Sequence, residues 1–166
     1  TDLTGGASAS VCEGWVCPNH YNSTEQAWIP RLMVRRQSEQ QPLVSTFVGV
    51  IEPYEGSPAI AAIQRLRLEN PAGEPVDDSH VALEVQLADG RRDLVIAVNA
   101  DAPSAGVRTA EEHAIVQPDW SVRLRGELAV IRRDTSGKLC AVSIGNGYEI
   151  AVGQATLRAP GRVEFS

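Results

Sequence analysis

Aromatic residues are scarce in this chain: three Trp, three Tyr and two Phe among 166 residues. Cysteine is scarcer, with three residues, an odd number that argues against a disulfide framework defining the fold. No apolar run approaches the roughly 20 residues of a membrane span. The opening 1-TDLTGGASAS-10 has neither a basic region nor an apolar core, so it does not read as a signal peptide. An initiator Met is also lacking, as expected of a processed chain or a piece of a longer one. There is no excess of basic charge: the formal net charge is −6, which speaks against a nucleic-acid partner. Phosphate-cradling motifs and a G-x-S-x-G elbow are absent as well.

What is present is ordinary globular composition, with 43% apolar and 22% charged residues. A chain of this length buries a core without staples. From Ile29 onward it reads as strand after strand. In 81-VALEVQL-87, Val81, Leu83, Val85 and Leu87 alternate with Ala82, Glu84 and Gln86, which predicts a half-buried strand with the Val/Leu set inward. Asp89-Gly90 predicts a type I′ hairpin turn. The return, 94-LVIAV-98, is apolar on both faces and predicts a strand covered on both sides or lying at a domain seam. In 122-VRLRGELAVI-131, Val122, Leu124, Leu128 and Val130 are expected on one face, with a bulge or bend at Gly126. Gly145-Asn146-Gly147 is expected to be a tight turn between two strands. The segment 58-PAIAAIQRLR-67 has helical spacing at Ile60, Ile63 and Leu66, but a bulged strand fits its neighbours better.

Strands recurring about every ten residues, with turn chemistry between them, indicate an all-β antiparallel sandwich. Residues 1–27 are read as a partly flexible lead-in and 28–166 as the sandwich domain.

Four clusters invite chemistry. Cys12, Cys17 and His20 in 11-VCEGWVCPNHY-21 suggest three zinc ligands, with Cys140 or His113 as a fourth. Structural zinc sites use close Cys/His pairs, and a second such pair is missing, so no metal or other cofactor is expected. A Cys12–Cys17 disulfide is the second reading, and unlinked thiols are the leading one. Cys140, within an apolar strand, is read as a small hydrophobe. His80 and His113 read as solvated loop histidines, so a nucleophilic triad is not expected. Arg123 and Arg125 share a strand face, which suits carboxylate pairing or a solvated face with Glu partners. In 44-VSTFVGVIEPYEG-56, Glu52 and Tyr54 suggest acid–base work, yet Pro53 and Gly56 explain the stretch as a core strand and its exit, with Tyr54 covering a core edge.

The order of 29-IPRLMVRRQ-37, 45-STFVGVIEPYEG-56, 89-DGRRDLVIAV-98, 126-GELAVIRRDTSGKL-139 and 145-GNGYEIAVGQATL-157 resembles the C-terminal β-sheet region of heparinase II/III-like polysaccharide lyases. The resemblance spans roughly Trp28 to the C-terminus. It implies a sheet domain that buttresses an α/α toroid catalytic domain of the same parent chain. The parent would cleave acidic, uronate-containing polysaccharide by β-elimination, in the periplasm or outside the cell. The family's Tyr and His for this reaction lie mainly in the toroid, so no catalytic residue is assigned to this chain. Trp28, Arg35, Arg36, Glu52 and Tyr54 are the candidates for contact with carbohydrate. Partners expected are the toroid and an acidic polysaccharide, and neither nucleic acid nor membrane. The alternative is a stand-alone carbohydrate-binding or interaction module, which calls for an exposed aromatic platform.

Overall fold

The computed structural model describes residues 1–16, 27–99 and 114–163. Two compact units divide the chain: Asp2–Gly49, and Thr1 with Val50–Ser166. Both are antiparallel and all-β, and no helix occurs among the described residues.

The first unit contains a two-stranded ribbon, β1 (Ser8–Val16) and β2 (Ala27–Arg35). β1 lies within the stretch read as a lead-in, and the expected boundary at Trp28 falls inside β2. Asp2 bridges Gly49, and the Thr4 hydroxyl donates to the Asp2 carboxylate (2.7 Å) while accepting from Val48 N–H (2.9 Å). That small network holds the buried Val48. The stretch 44–56 is not a sheet strand: its only ladder contact is the Gly49 bridge. Phe47, Ile51 and Tyr54 are exposed, and Tyr54 therefore covers no core edge.

The larger unit is a seven-stranded antiparallel sheet. Its strands are β3 (Ile60–Leu66), β4 (Val81–Leu87), β5 (Arg92–Ala97), β6 (Ala114–Gln117), β7 (Val122–Arg133), β8 (Leu139–Val152) and β9 (Ala155–Val163). β7 and β8 are long enough to serve two layers. The C-terminal half of β7 pairs with β5, and its N-terminal half pairs with β6. β9 pairs with the C-terminal half of β8. One sheet thus folds over into a sandwich whose inner faces share a core: Ala82, Leu94, Ile96, Ala129 and Ile131 against Ile115, Trp120, Val122, Leu124, Ile150 and Val152. Backbone bonds between Glu69 and Val116 (2.9 and 2.8 Å) tie the chain after β3 to β6 and close one side.

The fold line is marked by glycine. Gly126 and Gly147 are cross-strand partners, and the β7–β8 register shifts by one residue between Arg125 and Gly126. A Cβ on Gly126 would stand 2.8 Å from Gly147 Cα, so only glycine permits this approach. The shift also reverses the facing of β7. Val122 and Leu124 point inward before it, Ala129 and Ile131 after it. Leu128 and Val130, expected on the same face as Val122 and Leu124, occupy the other face because a one-residue shift exchanges the two faces of a strand.

Other expectations resolve similarly. 58-PAIAAIQRLR-67 contains a strand with an irregularity between Ile60 and Ala62, not a helix. In β4 the core face is that of Ala82 and Glu84, whereas Leu83 and Val85 belong to the opposite face with Val95 and Val130. β5 buries Leu94 and Ile96 completely but leaves Val95 half-exposed and Ala97 exposed, so it is covered on one side. Gly145-Asn146-Gly147 is no hairpin: it lies inside β8 at the fold line, with Asn146 at φ 48. The Asp89-Gly90 hairpin exists, but only Gly90 has positive φ. Bonds Gly90 N–H to Leu87 O and Leu87 N–H to Arg91 O (both 2.9 Å) describe a three-residue loop closed by a glycine bulge. Asp134–Lys138 repeats this arrangement around Gly137.

Candidate functional site

The five candidate contact residues divide between the two units. Trp28, Arg35 and Arg36 belong to the first, Glu52 and Tyr54 to the second. Trp28 is 66% exposed on β2 and sits directly opposite Trp15 of β1, itself 40% exposed. Their cross-strand pairing puts both indoles on one face of the ribbon, with the pair Val11–Leu32 on that same face. Trp15 carries no signal in the sequence beyond its type, because the register of β1 on β2 is not readable before the pairing is known. Arg35 ends β2, and its carbonyl accepts from the Ser8 hydroxyl at 3.4 Å. Arg36 is half-buried beyond the strand end. On the ribbon's opposite face, Arg31 donates to the Trp15 carbonyl at 3.4 Å.

Glu52 has a structural task. Its Oε1 accepts from Ala59 N–H (2.6 Å) and Ile60 N–H (2.9 Å), capping the entry of β3. Tyr54 is 62% exposed and makes no hydrogen bond with a described residue. The two are not assembled as an acid–base pair.

The most connected polar centre of the larger unit surrounds Trp120, which is 2% exposed. Its indole N–H donates to Glu84 Oε2 at 2.6 Å. The Arg133 guanidinium lies 4.5 Å from the ring centroid and donates to the Trp120 carbonyl at 2.8 Å. Arg92 stacks at 5.6 Å and reaches Glu84 at 3.8 Å. Buried Gln117 completes the turn by accepting from Trp120 N–H at 2.7 Å. This centre contains cations, an acid and an indole, but no nucleophile, and its donors are engaged inward. It fixes the turn between β6 and β7 onto β4 and β5. On the opposite face of the sheet, Arg132 and Asp93 form a two-point pair at 2.7 and 2.6 Å.

His80 is not a solvated loop histidine. It is buried, and its Nδ1 accepts from Asn99 N–H at 3.2 Å. Burial pushes its pKa below the ordinary imidazole value, against a smaller upward pull from Asp77. Cys140 is exposed on β8 and packs in no core. Cys17, His20, Tyr21 and His113 lie outside the described residues, as do the zinc and disulfide readings that need them. Among the described residues, no three His, Cys, Asp or Glu side chains gather to hold a metal ion. Arg123 and Arg125 do share the outer face of β7, flanking inward Leu124.

Comparison with family models, with curated proteins and with solved structures gave no match.

Proposed function

We propose that this chain is a non-catalytic β-sandwich domain supporting the toroid catalytic domain of a heparinase II/III-like lyase that acts on acidic, uronate-containing polysaccharide. The observation that carries this reading is uncovered apolar surface. On one ribbon face, Val11 is 72% exposed, Trp28 66%, Leu32 61% and Trp15 40%. A soluble domain seldom leaves contiguous apolar side chains to water unless a partner covers them. In this reading the partner is the rest of the parent polypeptide, met outside the cytoplasm with its polymeric substrate. The structural employment of Glu52 agrees with a supporting role, as does the isolation of Tyr54. The test compares two proteins on polyuronate, following the ultraviolet absorbance of the unsaturated product. The native polypeptide carrying this segment is expected to eliminate, and the 166-residue chain alone is not. Elimination by the isolated chain, or none by the native polypeptide, overturns the proposal.

One observation favours the second reading, a carbohydrate-binding module. Trp15 and Trp28 form an exposed cross-strand pair, which is the geometry of a stacking platform for sugar rings. Glycan binding by the isolated chain, lost on Trp15→Ala with Trp28→Ala, would favour it.

A further inference from the structure

The outer face of β7 carries positive charge that the described residues do not fully neutralise. Cross-strand register aligns Ala114, Arg125, Glu149 and Arg158 across β6, β7, β8 and β9. The adjoining rank is Val116, Arg123, Ala151 and Thr156. Three guanidinium groups therefore meet one carboxylate. That carboxylate is taken: Glu149 pairs with Arg158. Glu127, next along β7, accepts from the Asn146 side chain at 3.1 Å. Arg123 is exposed and makes no hydrogen bond or ion pair with a described residue. Arg125 is more telling. Its Nε is buried and has no hydrogen-bond partner. A buried charged donor without an acceptor is costly, and folded proteins nearly always provide one.

We infer that this face is a carboxylate-binding strip for an acidic polysaccharide, with Arg123 and Arg125 as its binding residues and Arg158 at its rim. Guanidinium forks match carboxylates in two-point geometry. Residues two apart on a strand stand about 6.7 Å apart, so the two arginines can engage successive anionic groups of one extended polymer. Ala114 is buried, and the accessible neighbours on these ranks, Val116, Ala151 and Thr156, are small. They offer no large anchor of the kind protein partners use and no aromatic on which a nucleobase would stack. The choice of a glycan rests on the lyase reading; the anion site does not.

The test uses the full 166-residue chain and a fluorescent oligomannuronate of defined length, with anisotropy read at two salt concentrations. The double variant Arg123→Ala, Arg125→Ala is expected to lose at least tenfold in affinity and to show a weaker salt dependence. Arg123→Glu alone, at an exposed position that leaves the fold intact, is expected to lose several-fold, and Trp15→Ala with Trp28→Ala to lose nothing. Wild-type affinity in both arginine variants, or no binding by the wild-type chain, overturns the site. Equal binding of polyglutamate or single-stranded DNA overturns the glycan. These outcomes are independent of whether the native polypeptide eliminates uronate, so the two proposals fail separately.

Discussion

Gly126→Ala strikes the line on which the sheet folds over. The added Cβ would lie 2.8 Å from Gly147 Cα and 3.4 Å from Ile144 Cδ1 and Leu124 Cδ1. The two leucine and isoleucine methyls can yield, but the Gly147 backbone cannot without separating β7 from β8. Such overpacking costs about 1–3 kcal/mol and more where backbone must move. Alanine also restricts the unfolded chain, which returns about 0.4–1 kcal/mol. The expected net loss is about 2 kcal/mol, near the upper half of the overpacking range less that return. The assay is urea unfolding followed by Trp120 fluorescence, in a background with Trp15→Phe and Trp28→Phe to silence the other unit. The midpoint should fall with an unchanged m-value. A loss below about 0.5 kcal/mol, the scatter of neutral surface changes, would refute the close approach at the fold line.

Two further outcomes follow from the buried polar groups. Trp120→Phe removes the indole donor from Glu84 and part of the ring beneath Arg133; the expected loss is about 2–3 kcal/mol, read by far-ultraviolet circular dichroism in urea because this variant lacks the fluorescent probe. His80 is held below its ordinary pKa, so the unfolded chain binds its proton first as pH falls. Stability should therefore be full above about pH 6.5 and decline below it, and His80→Gln should flatten that decline in thermal unfolding between pH 7 and 5. Asp2, Asp89 and Asp134 are lowered by local hydrogen bonds, chiefly from Thr4, Arg91 and Ser136. Their contribution is lost only as pH falls below the carboxylate range, which keeps the histidine window distinct.

Strand content was legible because alternation and turn residues are local. The facing of the strands was not. β4 alternates as expected, yet its Val and Leu side chains take the face away from the shared core while Ala82 and Glu84 line it. Both of its faces carry apolar residues, and only the position of Trp120, 36 residues away, decides which is inside. Gly126 was readable as a bend. Its effect on parity depends on the register with β8, which no local pattern encodes. Burial of His80 depends likewise on the β4–β5 pairing that brings Asn99 to it. Among the contact candidates, Trp28 gained a partner in Trp15 through a hairpin register that the residues between do not reveal. Glu52 turned out to cap a strand because its acceptors lie seven and eight residues downstream, across a turn.

The measurement closest to the central claim is the intact mass of the native polypeptide that contains this segment, taken from its source cells. A supporting domain of a lyase predicts a product several times heavier than 17.8 kDa, with this segment toward its C-terminal end. A native product near 17.8 kDa would leave no catalytic domain for the sandwich to support and would contradict the account.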